Sequence, residues 1–393
     1  MKKIILLILG LIVFGCTKQE FSKPPFGEGS RYPHLVKTMN GGLLVSWFEP
    51  LDSTTFGLYW SEYSENNWTE KNMIYASEDF FVNWADFPSI FELNDTTLVA
   101  HWPEMSSTGT YEYDVKVVYS GDRGSTWCDP IVPHRDGKHA EHGFVSFYKN
   151  ADRNLGMVWL DGRQMVGGHG HHSAGNMNLY TTSFDGEFEQ DDDIPIDAMV
   201  CECCPTSAVQ VGKATIVAYR DRLESEIRNI NIIRKVDDEW EEPYPVFEDG
   251  WEIPGCPVNG PKLVEKDGKV AIAWFTAPEG DPRINVAFST DFGKSFSNPI
   301  RIDDGKPQGR VDLTWINENT IIASLLEVNE DESDIVYRKI NLDGTQSELK
   351  LVETLGGGRG IGYPQIEAVD SQMLVLWTNS EGKTQIQSKW ISL

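Results

Sequence analysis

The chain has 393 residues, 40% of them hydrophobic and 24% charged, with a formal net charge of -26 at pH 7. That composition supplies ample core material and excludes a disordered chain. The acidic balance excludes nucleic acid and anionic lipid as charge-driven partners.

Lys2 and Lys3 precede an apolar run from Ile4 to Gly15, which is too short to cross a bilayer as a helix of about 20 residues. It reads as a signal segment. Val13-Phe14-Gly15-Cys16 resembles the lipobox of bacterial lipoproteins. The resemblance implies removal of residues 1–15, lipidation of Cys16, and a bacterial envelope address, anchored in the outer membrane on its periplasmic or its outer side. Membrane attachment then depends on the acyl chain. Export permits disulfides, and the five cysteines besides Cys16 leave at least one thiol unpaired.

From residue 30 onward one pattern recurs seven times: an apolar strand, a polar turn, then a second strand ending on a large residue. Those terminal residues are Trp47, Trp102, Trp159, Tyr219, Trp274, Leu325 and Trp377. Their spacing of about 50 to 60 residues accommodates four short strands with turns, which is one propeller blade. The pattern predicts an all-β chain folded as a single seven-bladed β-propeller over 30–393. Six blades would require the weak sixth repeat, around Leu325, to be something else. Residues 16–29 are a tether, with part of Glu20 to Gly29 expected to pair into the last blade and close the ring. A monomer is expected.

Ser120-Gly121-Asp122-Arg123-Gly124-Ser125-Thr126-Trp127 and Ser289-Thr290-Asp291-Phe292-Gly293-Lys294-Ser295-Phe296 resemble the Asp-boxes of the sialidase superfamily. Their chemistry is that of a turn: Asp accepts turn amides and Gly permits positive φ. The resemblance implies a propeller, and familiar sialidases have six blades rather than seven. It further implies a pore-mouth site with arginines for a substrate carboxylate, an Asp acid and a Tyr nucleophile. Arg31, in Ser30-Arg31-Tyr32-Pro33, matches the family's first-strand arginine motif with Tyr in place of Ile. Asp86 stands at the equivalent place in blade two as the acid, and Tyr363 is a nucleophile by position. The remaining arginines would come from Arg163, Arg220, Arg310 and Arg359. On this resemblance the ligand is a glycan or small molecule, sialic-acid-like or otherwise acidic, turned over or only bound.

Alternating strand direction sorts the loops by face. His142, Cys203, Cys204 and Cys256 precede first strands, and the insertion 161–176, with His169, His171 and His172, opens on the same side. Together with Cys201 they form a thiolate and imidazole set suited to copper(I) or zinc(II), with Met165, Met177 and Met199 nearby favouring copper. Two disulfides among Cys201, Cys203, Cys204 and Cys256, or a redox-active thiol pair, are the alternatives. Cys128 is expected as a separate buried thiol. Glu49, Glu104, Asp161, Asp221 and Glu327, each two residues beyond a second-strand terminus, form either a ligand-binding ring or a solvated rim.

Overall fold

The computed structural model describes residues 21–150, 155–165 and 175–393. Among them are seven antiparallel sheets, and their inner strands are Arg31–Lys37, Ser89–Glu92, His142–Lys149, Ser207–Val211, Lys262–Lys266, Pro307–Asn317 and Gln365–Val369. The weak sixth repeat is a full blade, with Leu325 buried in the strand Thr320–Asn329. The chain is a seven-bladed β-propeller.

The core is divided in the way a propeller requires, because a twisted sheet can bury its two faces only against its neighbours. Seven buried clusters each join adjacent blades. One joins blades one and two through Phe48 and Trp102, for example, and another joins blades five and six through Phe288 and Trp315. The repeat-terminal Trp47, Trp102, Trp159 and Trp274 are completely buried.

The acids two residues beyond these tryptophans follow from strand geometry, since residues i and i+2 share a face. Trp47 Nε1 donates to Glu49 at 3.1 Å, Trp102 Nε1 to Glu104 at 3.1 Å and Trp159 Nε1 to Asp161 at 2.8 Å. In three blades the acid therefore satisfies a buried indole N–H, a role that is neither the ligand-binding ring nor the solvated rim expected. Glu327 instead accepts the Asp304 amide, and Asp221 pairs with Val200 through a backbone bridge.

Ring closure also differs from expectation. Residues 21–30 form no strand. They lie against the last blade with Phe21 stacked on Trp390 and Gly29 N–H donating to the Thr384 carbonyl. Pro24 and Pro25 lack the N–H groups that a ladder needs. Cys16 lies outside the described residues, among which no helix is long and apolar enough to cross a membrane.

The two S-x-D-x-G-x-x-W/F stretches fold alike. Asp122 accepts the Ser120 hydroxyl and the Thr126 amide, and Asp291 accepts the Ser289 hydroxyl and the Ser295 amide. Cys128, just past the first, is half-buried, and the Tyr119 N–H donates to its sulfur at 3.3 Å.

Candidate functional site: a thiol cluster beside the channel mouth

At one end of the central channel the chain takes left-handed backbone conformations as it passes into several inner strands. Tyr32 (φ 54°), Phe144 (57°), Val258 (50°), Arg310 (54°) and Gly362 (69°) all do so. For the four residues other than glycine this costs on the order of 1 kcal/mol each. Trp84 and Tyr363 stack at this mouth with ring centroids 6.2 Å apart, and the Arg310 guanidinium lies 4.5 Å from the Trp84 centroid and Arg359 6.0 Å from it. Below the mouth runs a cavity of about 740 Å³, lined in part by His34, Asp86, Ser146, Lys262, Asp312 and Glu367.

Four thiols converge beside this mouth, in the lead-ins to blades four and five. Cys201 and Cys204 sulfurs are 3.4 Å apart, and Cys201, Cys203 and Cys256 sulfurs lie within 4.8 Å of one another. The turn is pressed against blade five so closely that a Cβ on Gly260 would lie 2.0 Å from the Pro205 carbonyl oxygen. Arg228 Nη1 donates to Cys201 sulfur at 3.1 Å and to Glu202 Oε2 at 3.0 Å, and the Asn259 amide donates to Cys204 at 3.4 Å. Burial opposes ionisation of Cys201, but hydrogen bonds from the other three thiols and the Arg228 charge outweigh it and hold this thiol well below its usual range. Burial pushes Cys204 up to about 12, and the sharing of protons with Cys201 pushes Cys203 and Cys256 up as well. Of the four, Cys201 is the thiol whose ionisation its surroundings favour. Cys201 and Cys204 are buried while Cys256 is exposed, so the cluster is open on one side.

His142 does not join the thiols, contrary to the expected shared set. Its imidazole is fully buried among Asp114, His134, Asp136 and Asp161, because its ring is directed into the interface between blades two and three. His169, His171 and His172 lie outside the described residues. Met165 and Met177 pack in the same apolar cluster as Cys203.

The residues carried over by resemblance fare unequally. Asp86 is buried at the channel wall, where it accepts the Phe144 amide at 3.0 Å, and burial raises it to about 7 against the opposing effect of that amide and Tyr113. It can hold a proton near neutrality. Tyr363 donates its hydroxyl to the Val258 carbonyl at 2.7 Å, and burial beside Cys204 raises it further. Those are the surroundings of a packed wall rather than of an activated nucleophile. Arg31 donates to the Gly29 carbonyl and lies 5.1 Å from the centre of the Phe56 ring.

Arg220 and Arg163 are structural. The first donates to the Asn259, Arg228 and Phe275 carbonyls, and the second pairs with Asp161 and Asp193, at 2.6 Å in each case. Asp193 is therefore an ion-pair partner. Arg31, Arg310 and Arg359 have no carboxylate partner among the described residues, although the chain carries 60 acids against 34 bases. Sequence reasoning missed Trp84, the floor under Arg310, and Arg228, the cation on the thiols. No motif marks either, because each works through a neighbour from another blade.

No protein-family model matches the chain, and no curated protein matches it. Among solved structures it is similar to a protein of unknown function from Dyadobacter fermentans, with 15% identity over 95% of this chain and 97% of that one and a TM-score of 0.53. An ulvan lyase, a polysaccharide lyase, is similar at 11% identity over 91% of each chain with a TM-score of 0.57. An α-L-arabinofuranosidase from Fusarium graminearum is similar at 13% identity over 93% of each chain with a TM-score of 0.50. At such identities the likeness is one of fold, and it places this chain among the β-propellers.

Proposed function

We propose that this propeller binds a soft metal ion, copper(I) or zinc(II), through Cys201, Cys203, Cys204 and Cys256. The observation that carries the reading is that the Cys201 sulfur is within reach of three other thiols at once. Disulfides would join sulfurs in pairs, whereas a tetrahedral zinc with bonds of about 2.3 Å wants four sulfurs with edges of about 3.8 Å. Cys201, Cys203 and Cys256 already lie within 4.8 Å of one another, and Cys204, 3.4 Å from Cys201 but outside that group, would have to move in to complete the four. Arg228 and the Asn259 amide would serve as outer partners that offset thiolate charge. Elemental analysis of protein purified without a metal-affinity tag should find one ion per chain more in the intact protein than in Cys203→Ser/Cys204→Ser. Equal metal in both proteins would remove the reading.

A second reading is favoured by the arginines at the mouth. Arg310 and Arg359 over Trp84 offer an aromatic floor for a sugar ring and unpaired cations for a carboxylate or sulfate on it. The ulvan lyase of similar fold was solved bound to a GlcA(1-4)Rha3S unit, which carries both kinds of acidic group. On this reading the protein acts on, or only binds, an acidic glycan, with Asp86 as its proton donor if there is turnover. A panel of acidic oligosaccharides and a fluorogenic sialoside tests it. Binding that Arg310→Ala weakens at least tenfold supports the site, and turnover that Asp86→Asn abolishes makes it an enzyme. No binding across the panel would overturn it.

A further inference from the structure

The buried imidazoles of blades two and three form a second centre. His134, on the connection between these blades, and His142, at the start of the next inner strand, stack with ring centroids 3.7 Å apart and planes 1° from parallel. His142 is fully buried and His134 is 5% exposed. His142 Nδ1 lies 3.3 Å from the Tyr113 carbonyl. Its Nε2 lies 3.4 Å from Asp136 and 3.7 Å from Asp161. His134 Nδ1 meets Asp136 Oδ1 at 3.2 Å, and its Nε2 is 3.6 Å from Asp114. Both Nε2 atoms and Asp136 Oδ2 are buried and have no hydrogen-bond partner among the described residues.

The charges facing this pocket do not balance. Asp114, Asp136, Asp161 and Asp193 are opposed by Arg163 and by Lys116, which Asp114 shares with Glu104. A divalent cation would take up the buried imidazole nitrogens and offset the surplus charge together.

We propose that this pocket is a zinc-class metal site, independent of the thiols, with His134, His142 and Asp114 as ligands and Asp136, which meets His134 Nδ1, as an outer partner. The atoms of the first three already lie within 4.8 Å of one another. Asp161 is spent on the Trp159 indole and the Arg163 guanidinium, so it stands outside the set. Asp114 is partly exposed and gives the ion a way in. Two nitrogens and a carboxylate oxygen suit zinc or cobalt(II) better than copper(I), which the sulfur cluster would prefer.

The test is a cobalt(II) titration of chelator-stripped full chain. One equivalent should bind with visible ligand-field bands and no sulfur charge-transfer band. It should persist in Cys203→Ser/Cys204→Ser and weaken at least tenfold in His134→Gln, a site less buried than His142 and so less prone to misfold. Zinc should raise the Tm of the intact chain by more than that of His134→Gln. If every bound equivalent shows the sulfur band, or if His134→Gln binds cobalt as the intact chain does, the site does not exist. Failure of the thiol centre alone would leave the nitrogen-ligated equivalent in place.

Discussion

The two ligand-bearing clusters sit in neighbouring quadrants of one ring, yet they handle charge in opposite ways. The sulfur cluster is surrounded by cations: Arg228 touches Cys201, Arg220 lies near Cys204, and Glu202 is held by Arg222 and Arg228. The imidazole cluster is surrounded by acids, with Arg163 the one guanidinium paired there among the described residues. The difference teaches what each cluster lacks. Thiolates need their own negative charge compensated before and after a metal arrives, whereas imidazoles among carboxylates form a site whose missing component is itself the cation.

Replacing Cys201 should break the comparison most sharply. Cys201→Ser removes the sulfur that the other three thiols address, and metal bound in the sulfur cluster should fall at least a hundredfold while cobalt bound by the imidazoles is unchanged, as absorption spectra of both would show. Arg228→Leu keeps all four sulfurs but strips their nearest cation, and a loss of about 10- to 100-fold in metal affinity is expected by competition with a chelator. Asp86, which accepts the blade-three amide between the two clusters, sharpens the contrast through pH. Its folded pKa of about 7 lies above the unfolded value of 3.8, so the folded state binds the extra proton and stability falls as pH rises from about 4 to 7. Asp86→Asn should flatten that slope in chemical denaturation, with a gain at pH 8 of at most about 4 kcal/mol. The smallest effect on the folded protein is expected from Cys16→Ala, which should leave metal content and Tm alone while shifting the protein from the membrane to the soluble fraction. Unchanged fractionation would remove the anchor.

The tryptophan clasps offer a simpler contrast between what reads directly and what does not. Trp159 and Asp161 are two apart in one strand, so their shared face follows from the strand period, and only the function assigned to the acid needed correction. His142 and Cys203 are both in lead-ins to inner strands, so alternation places them on one face. It cannot say into which inter-blade interface a side chain turns, and His142 turned the other way. Asp86 could be singled out by its position in the repeat, but its pKa is raised by burial against the opposing hydrogen bonds of Phe144 and Tyr113, and all of that comes from residues far away in sequence and close in space.

Repetition of one strand pattern by itself determined the number of blades, the direction of the chain in each and the positions of the buried tryptophans, because each blade must bury the same two faces. The order of Cys201, Cys203 and Cys204 within one turn likewise determined that three sulfurs would be close together. Only the tertiary structure decided that Cys256 completes them, that Arg228 neutralises them, and that His134 rather than a thiol is the partner of His142. Those contacts cross from blade to blade, and the packing between sheets is set by side-chain shape and charge over the whole ring rather than by any local period.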